Sequence, residues 1–184
     1  VGFPIVHVTS LSNGIAFGQT KIWIAGGEVK EYSGKIVVAK DLSVNEFRAL
    51  VKTGVKGFIT QTGNTVSHGA FLGTPWATIL SEDFDRLQDG QDIVLDSRLN
   101  GVYEPNAYPW QEAVAARFEE AEWRLAGEAL NSWWQIRFVR FWLSNELDTI
   151  RHGALKAGIE IADYAEKLGE FYSDTDRILA AHRK

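Results

Sequence analysis

The sequence predicts an α/β unit followed by a helical extension, on three observations. Up to about Pro105, short runs rich in Val, Ile, Thr and aromatics are separated by Gly, Asn, Asp and Ser, the pattern of strands between turns. One gap between such runs holds a capped amphipathic segment, so that strand, helix and strand follow one another. Beyond Pro109, Gly and Pro thin out, and Ala, Glu, Arg, Leu and Trp recur at helical steps. The compositional break divides the chain into residues 1–105 and 106–184.

Strands are expected at Ile15 to Ile24, Lys35 to Ala39, Lys56 to Thr60, Trp76 to Leu80 and Gln91 to Asp96. Between the second and third, Ser43-Val44-Asn45-Glu46 is a capping box that opens an apolar periodicity through Val44, Phe47, Leu50 and Val51. Thr53-Gly54 closes that helix, glycine supplying the left-handed cap. The buried run Gly57-Phe58-Ile59-Thr60 then delivers the chain to a loop that contains His68. After the loop, Ala70, Phe71 and Leu72 make a very short helix, Gly73 stops it, and Pro75 opens the next strand. Asp89-Gly90 reads as a turn and Asn100-Gly101 as a hairpin signal.

In the extension, Trp110, Val114, Phe118, Ala121 and Leu125 share one helical stripe, and Leu130, Trp134, Phe138, Phe141 and Trp142 continue the spacing. Aromatics on more than one face of the middle helix predict cover on several sides, by a helical hairpin or a dimer interface. Arg117, Arg124, Arg137, Arg140 and Arg151 stand near Glu119, Glu120, Glu122 and Glu128 and are expected to form a solvated ion-pair face. Asp174 is expected to cap a last short helix ending in Ala180-Ala181-His182.

With 184 residues of which 45% are hydrophobic, the chain can bury a substantial core. It has no cysteine, so disulfides and thiolate metal sites are excluded, and its four histidines lack zinc-motif spacing; no metal is expected in this chain. A net charge of -5 disfavours nucleic acid. No apolar run approaches the roughly 20 residues that span a bilayer, and no signal-peptide pattern opens the chain. A soluble, cytoplasmic protein is expected. The chain has no methionine and begins at Val1. It therefore reads as a fragment or processed product of a longer protein, or as a sequence from which some residues, modified ones among them, have been lost.

The segment with the strongest claim to chemistry is Asn64-Thr65-Val66-Ser67-His68-Gly69-Ala70. It places one imidazole at a loop-to-helix junction, where unpaired N–H groups and the helix dipole stabilise a group that becomes negatively charged. That suits a histidine that receives a phosphoryl group; a lone histidine after Ser also serves as a surface or capping residue. His152 and His182 have no neighbouring acid and nucleophile in a recognisable pattern. A hydrolase built on His68 with Asp83, Asp85 or Asp96 lacks any familiar arrangement of nucleophile, base and orienting acid.

Five short segments, in order, resemble the phosphohistidine or swivelling domain of enzymes that use or make phosphoenolpyruvate (PEP), among them pyruvate phosphate dikinase, PEP synthase, enzyme I of the sugar phosphotransferase system and rifampicin phosphotransferase. Asn13-Gly14-Ile15-Ala16-Phe17-Gly18 resembles the opening P-G-I-A-x-G, and Gly34-Lys35-Ile36-Val37-Val38 the strand G-x-I-L-V. Gly57 to Ala70 resembles A-I-V-T-x-x-G-G-x-T-S-H-A-A, while Leu72-Gly73-Thr74-Pro75 and Leu87-Gln88-Asp89-Gly90-Gln91 resemble L-G-I-P and L-x-D-G-x. The resemblance covers roughly Asn13 to Pro105 and leaves the helical tail uncovered. Asn64 stands for the second Gly, Val66 for Thr and Asn13 for Pro, and the stretch from His68 to Pro75 is about one helical turn shorter than in those enzymes.

The resemblance implies a three-layer β/β/α swivelling domain with a C-terminal helical extension, in which His68 is the transient phosphoacceptor. A neutral imidazole with a pKa near 6.5 is a usable nucleophile and forms a phosphoramidate that passes its phosphoryl group on, whereas Ser or Lys would hold it too stably. Ser67 can cap the following helix or donate to the phosphate, Thr65 can donate to the phosphoryl oxygens, and Gly63 and Gly69 keep side-chain bulk away. The domain would bind no cofactor itself. Mg²⁺ with ATP or PEP would sit in nucleotide-binding and PEP- or substrate-binding partner domains or subunits, because those need more chain than is present, a barrel alone taking about 250 residues. The chain would thus be part of a phosphotransferase, not a complete enzyme. The alternative is a non-catalytic interaction module that keeps the scaffold and assembles, as a homo-oligomer among other options, through its aromatic tail. A retained His68 favours the carrier and the missing turn favours the module.

Overall fold

The computed structural model of the chain describes residues 2–12, 14–61, 74–126 and 133–181. The chain is mixed α/β and divides into two compact units, Val1–Tyr108 and Pro109–Lys184.

The first unit contains β1 (Val6–His7), β2 (Thr9–Ser12), β3 (Ile15–Ile22), β4 (Ile36–Ala39), α1 (Val44–Lys52), β5 (Gly57–Thr60), β6 (Trp76–Thr78), β7 (Asp92–Asp96) and β8 (Gly101–Tyr103). Among the described residues these strands form one sheet in the order β1-β8-β7-β3-β4-β5-β6-β2. Neighbours from β3 to β6 run parallel, and the remaining pairs are antiparallel. The long strand β3 serves both parts: Ile15 to Gln19 lie opposite β7, and Thr20 to Ile22 lie opposite Ile36 to Val38.

Every residue of β4 and β5 is buried, as expected for parallel strands covered on both faces. Alternation splits their side chains between two cores. Ile36, Val38 and Ile59 pack with Val6, Ala16, Ile93, Leu95 and Val102. Val37, Ala39 and Phe58 point the other way, with Trp76, toward Phe47 and Leu50 of α1. The Phe47 ring centroid lies 4.3 Å from that of Phe58 and 5.3 Å from that of Trp76.

Helix α1 begins and ends by local chemistry. The Ser43 hydroxyl accepts from Glu46 N–H at 3.3 Å while the Glu46 carboxylate accepts from Ser43 N–H at 2.8 Å. Gly54, at φ 80°, follows the C-terminal residue Thr53 and donates to the Val51 carbonyl at 3.1 Å. Ser43→Ala is expected to cost about 1 kcal/mol, read as a lower midpoint in thermal or urea unfolding. The Ser43 hydroxyl and then its backbone N–H hold the Glu46 carboxyl below its ordinary 4.5. A lowered folded-state value means that this part of the cap is present above pH 4.5 and fades as pH falls through the lower value, so the Ser43→Ala penalty shrinks in acid.

Several strands differ from the sequence expectation. β3 stops at Ile22 rather than Ile24, because the Tyr32 hydroxyl accepts from Ile24 N–H and donates to the Ile22 carbonyl, both at 3.2 Å. β6 ends at Thr78, and Ser81–Arg86 winds into a 3-10 turn that buries Phe84 and leaves Leu80 exposed. β1 and β2 were not expected as strands. The hairpin signalled by Asn100-Gly101 is present between β7 and β8, with a connection longer than two residues: Asp96 pairs with Gly101, and Asn100, at φ 50°, is the last residue of the connection. The very short helix expected at Ala70 to Leu72 lies outside the described residues.

The second unit contains α2 (Trp110–Ala126), α3 (Trp133–Lys156) and α4 (Ala165–Ala181). α2 buries Trp110, Val114, Phe118 and Ala121, as the stripe predicted. The expected aromatic series does not bury in α3. Its inner face is Ile136, Val139, Leu143, Leu147, Ile150 and Ala154, while Trp134, Phe138 and Phe141 are exposed. Asp174 caps nothing: it lies inside α4 and pairs with Arg177 at 3.2 Å, while Asp163 accepts from Ala165 N–H at the helix start. Nor are the arginines one solvated face. Arg117 is buried against Glu146 at 3.2 Å, and Arg140 donates to Thr175 Oγ1 and Asp176 Oδ1 on α4. No helix among the described residues is long and apolar enough to cross a membrane.

Candidate functional site

Gly63, Thr65, Ser67, His68 and Gly69 all lie outside the described residues. Both ends of their segment are described, and both are anchored in the sheet. On entry, Thr60 is wholly buried, its hydroxyl accepting from the Trp76 indole N–H at 2.9 Å and its carbonyl from Ile79 N–H at 2.9 Å. Gln61 N–H donates to the Ala39 carbonyl at 3.2 Å, which extends the β4–β5 pairing by one residue. On return, the Ser12 hydroxyl donates to the Thr74 carbonyl and accepts from Trp76 N–H, each at 2.8 Å. Gly14, at φ 152°, lets the chain pass beside Pro75: a Cβ there would meet the Pro75 ring at 2.9 Å. Since β5 and β6 are parallel neighbours, residues 62–73 link the carboxyl end of one to the amino end of the next.

The carboxyl edge of parallel strands is where α/β sheets present functional loops. At this edge β3 and β4 open onto a cleft of about 510 Å³, lined by Ile22, Trp23, Ala25, Lys40, Asp41, Ser43, Glu46 and Phe84. Lys40 Nζ lies 5.8 Å from the Phe84 ring centroid. Asp41 accepts from Leu42 N–H at 2.9 Å. Glu46 and Ser43 already satisfy donors at the α1 N-terminus, so the cleft offers a mixed charged and apolar surface rather than an open anion seat. Sequence reading did not single out Lys40 or Asp41; the available signal was their place directly after a fully buried strand.

Other candidate residues sit apart from this edge. Asp96 is fully buried, and its carboxylate accepts from Arg98 N–H at 2.9 Å and Leu99 N–H at 3.2 Å in the β7–β8 connection and from the Tyr108 hydroxyl, beyond β8, at 2.5 Å. Burial first, then the Asp96 charge, pushes the Tyr103 hydroxyl pKa up. Asp83 pairs with Arg86 at 3.1 Å and Asp85 is exposed. His7 and His152 are exposed, and His182 lies outside the described residues. Among the described residues, no group of three or more His, Asp or Glu side chains is clustered to hold a metal ion.

No family model matches the chain, and no curated protein matches it. Among solved structures it is similar to the solution NMR structure of a UPF0107 protein, at 15% identity and a TM-score of 0.43, over 56% of this chain and 98% of that one.

Proposed function

We propose that the first unit is a phosphohistidine swivelling domain of the three-layer β/β/α kind, acting as the cytoplasmic phosphoryl carrier of a PEP-utilising or dikinase-like phosphotransferase. The observation that carries this reading is the setting of β5. It is buried throughout among parallel strands, packed on one side by residues of β1, β7 and β8 and on the other by α1, and it runs directly into the segment bearing Ser67-His68. Two cores separated by one layer of strands fit the layered scaffold, and a rigid strand fits the need to present one imidazole repeatedly.

In the proposed cycle the lone pair of a neutral His68 ring nitrogen attacks the phosphorus of ATP or PEP held with Mg²⁺ by a partner domain. The N–P bond forms as the donor P–O bond breaks, and the ring proton leaves from the other nitrogen. An acceptor oxygen at a second site then attacks the phosphorus, the N–P bond breaks, and the ring takes up one proton to return as neutral imidazole. Thr65 and Ser67 donate to the phosphoryl oxygens, and Gly63 and Gly69 leave them room.

Incubating the chain with candidate kinase partners and labelled ATP or PEP tests this. Acid-labile label on the wild type and none on His68→Ala is the expected result. Label that survives in His68→Ala, or none on the wild type with any donor and partner, overturns it. The second outcome would favour the non-catalytic interaction module, for which the exposed Trp134, Phe138 and Phe141 speak.

A further inference from the structure

We infer that two copies of this chain pair through the outer face of α3. Trp134, Phe138 and Phe141 follow one another at steps of four and three residues, so they form one stripe, and they remain 73%, 59% and 68% exposed. The opposite face of the same helix, from Ile136 to Ala154, already fills the core of its unit. The stripe is therefore surplus to folding the unit, and keeping three aromatic rings in water is unfavourable.

Its area and its symmetry both suit a second copy. An aromatic ring can bury about 150–250 Å², so these exposures leave roughly 300–500 Å² uncovered on each chain. Pairing would remove roughly 600–1,000 Å² through the rings alone, which approaches the about 1,000 Å² that a biological interface should clear. Phe138 sits near the middle of the stripe. An antiparallel two-fold crossing there sets Phe138 against Phe138 and Trp134 against Phe141, so the stripe is its own complement.

The surroundings limit the contact to this stretch. Beyond Phe141 the same face turns polar, with Asn145, Asp148 and His152 exposed. Arg137 would otherwise face its copy near the axis, but its guanidinium stacks 3.9 Å from the Trp133 ring centroid, to the side. A hollow of about 380 Å³ beside Phe141, lined by Arg140, Ser144, Tyr172 and Asp176, gives the partner's Trp134 a place to seat.

Sedimentation velocity on the full chain over a range of concentrations tests the pairing. A monomer–dimer equilibrium is expected, weakened roughly tenfold or more in Phe138→Glu. Because the ring is exposed, the far-UV spectrum of that variant should match the wild type, and its thermal midpoint should match that of the wild type at concentrations where the wild type is monomeric. The chain has no native cysteine, so Phe138→Cys adds a second readout: oxidation should link two chains at that position. A monomer at every concentration, or a dimer indifferent to Phe138→Glu and unlinked in Phe138→Cys, overturns the inference. These results do not depend on phosphorylation of His68.

Discussion

Phe58→Ala lowers the stability of the first unit by about 3–5 kcal/mol, the range for deleting a fully buried aromatic ring. Phe58 is wholly inaccessible, in the middle of β5, and its ring meets Phe47 at 4.3 Å across the interface between sheet and α1. The walls of the vacated space cannot close easily. Trp76 is tied to Thr60 through its indole N–H, and Val37 is held by strand pairing opposite Phe58 itself. At about 4–8 °C per kcal/mol for a unit near this size, the thermal midpoint falls by roughly 10 °C or more. Phe58→Leu keeps most of the volume and should lose about 1.5 kcal/mol or less. Urea unfolding followed by tryptophan fluorescence separates the two, and a Phe58→Ala midpoint matching that of Phe58→Leu would show that this interface repacks freely. The effect bears on the candidate site because β5 carries residues 62–73 at its carboxyl end.

Where local chemistry decides structure, the sequence was readable. Ser43 and Glu46 cap each other with no help from distant residues, and Gly54 takes the left-handed conformation its place demands. β4, β5 and β7 could be read because burial on both sides leaves an uninterrupted apolar run, visible without knowing the neighbours. β1 and β2 were hidden because Val6–His7 and Thr9–Ser12 are short and mostly polar; only pairing with β8 and β6, far along the chain, makes them strands. In α3 the period was legible and the inward face was not. The series through Trp134, Phe138 and Phe141 and the series through Ile136, Val139 and Leu143 both fit a helix, and packing against α2 chose the aliphatic one. The same limit hid Arg117: charge alone marks it as surface, and its pairing with the carboxylate of Glu146, on another helix, helps make its burial tolerable. The imidazole of His68 was legible as a motif, from residue types and order, while the cleft at Lys40 and Asp41 depends on strand order and carries no motif.

Arg117→Ala should destabilise the second unit by about 3 kcal/mol or more, far beyond what an exposed pair would lose, because it removes a wholly buried guanidinium that pairs with the Glu146 carboxylate. The Arg117 side chain is 1% exposed and that of Glu146 17% exposed, with Nε and Oε2 at 3.2 Å. Two effects oppose each other here. Removing both ions from water is costly, and their attraction in a low-dielectric setting offsets that cost only while both remain. It follows that the double variant Arg117→Met with Glu146→Leu should recover most of the loss and end near or above wild-type stability. Arg124 makes the contrast. It pairs with Glu120 one turn away at 2.5 Å with 26% of its own side chain and 9% of that of Glu120 exposed, so Arg124→Ala should cost more than the about 0.3–0.5 kcal/mol of an exposed pair and less than Arg117→Ala, whose guanidinium is wholly buried. Part of any further loss would come from its contact with the Trp142 ring, 4.4 Å from the guanidinium carbon. Thermal unfolding followed by the helical far-UV signal should therefore rank the variants with Arg117→Ala lowest, Arg124→Ala between it and wild type, and the double variant close to wild type. A double variant as unstable as Arg117→Ala would mean that Arg117 contributes through packing of its aliphatic stem rather than through its charge.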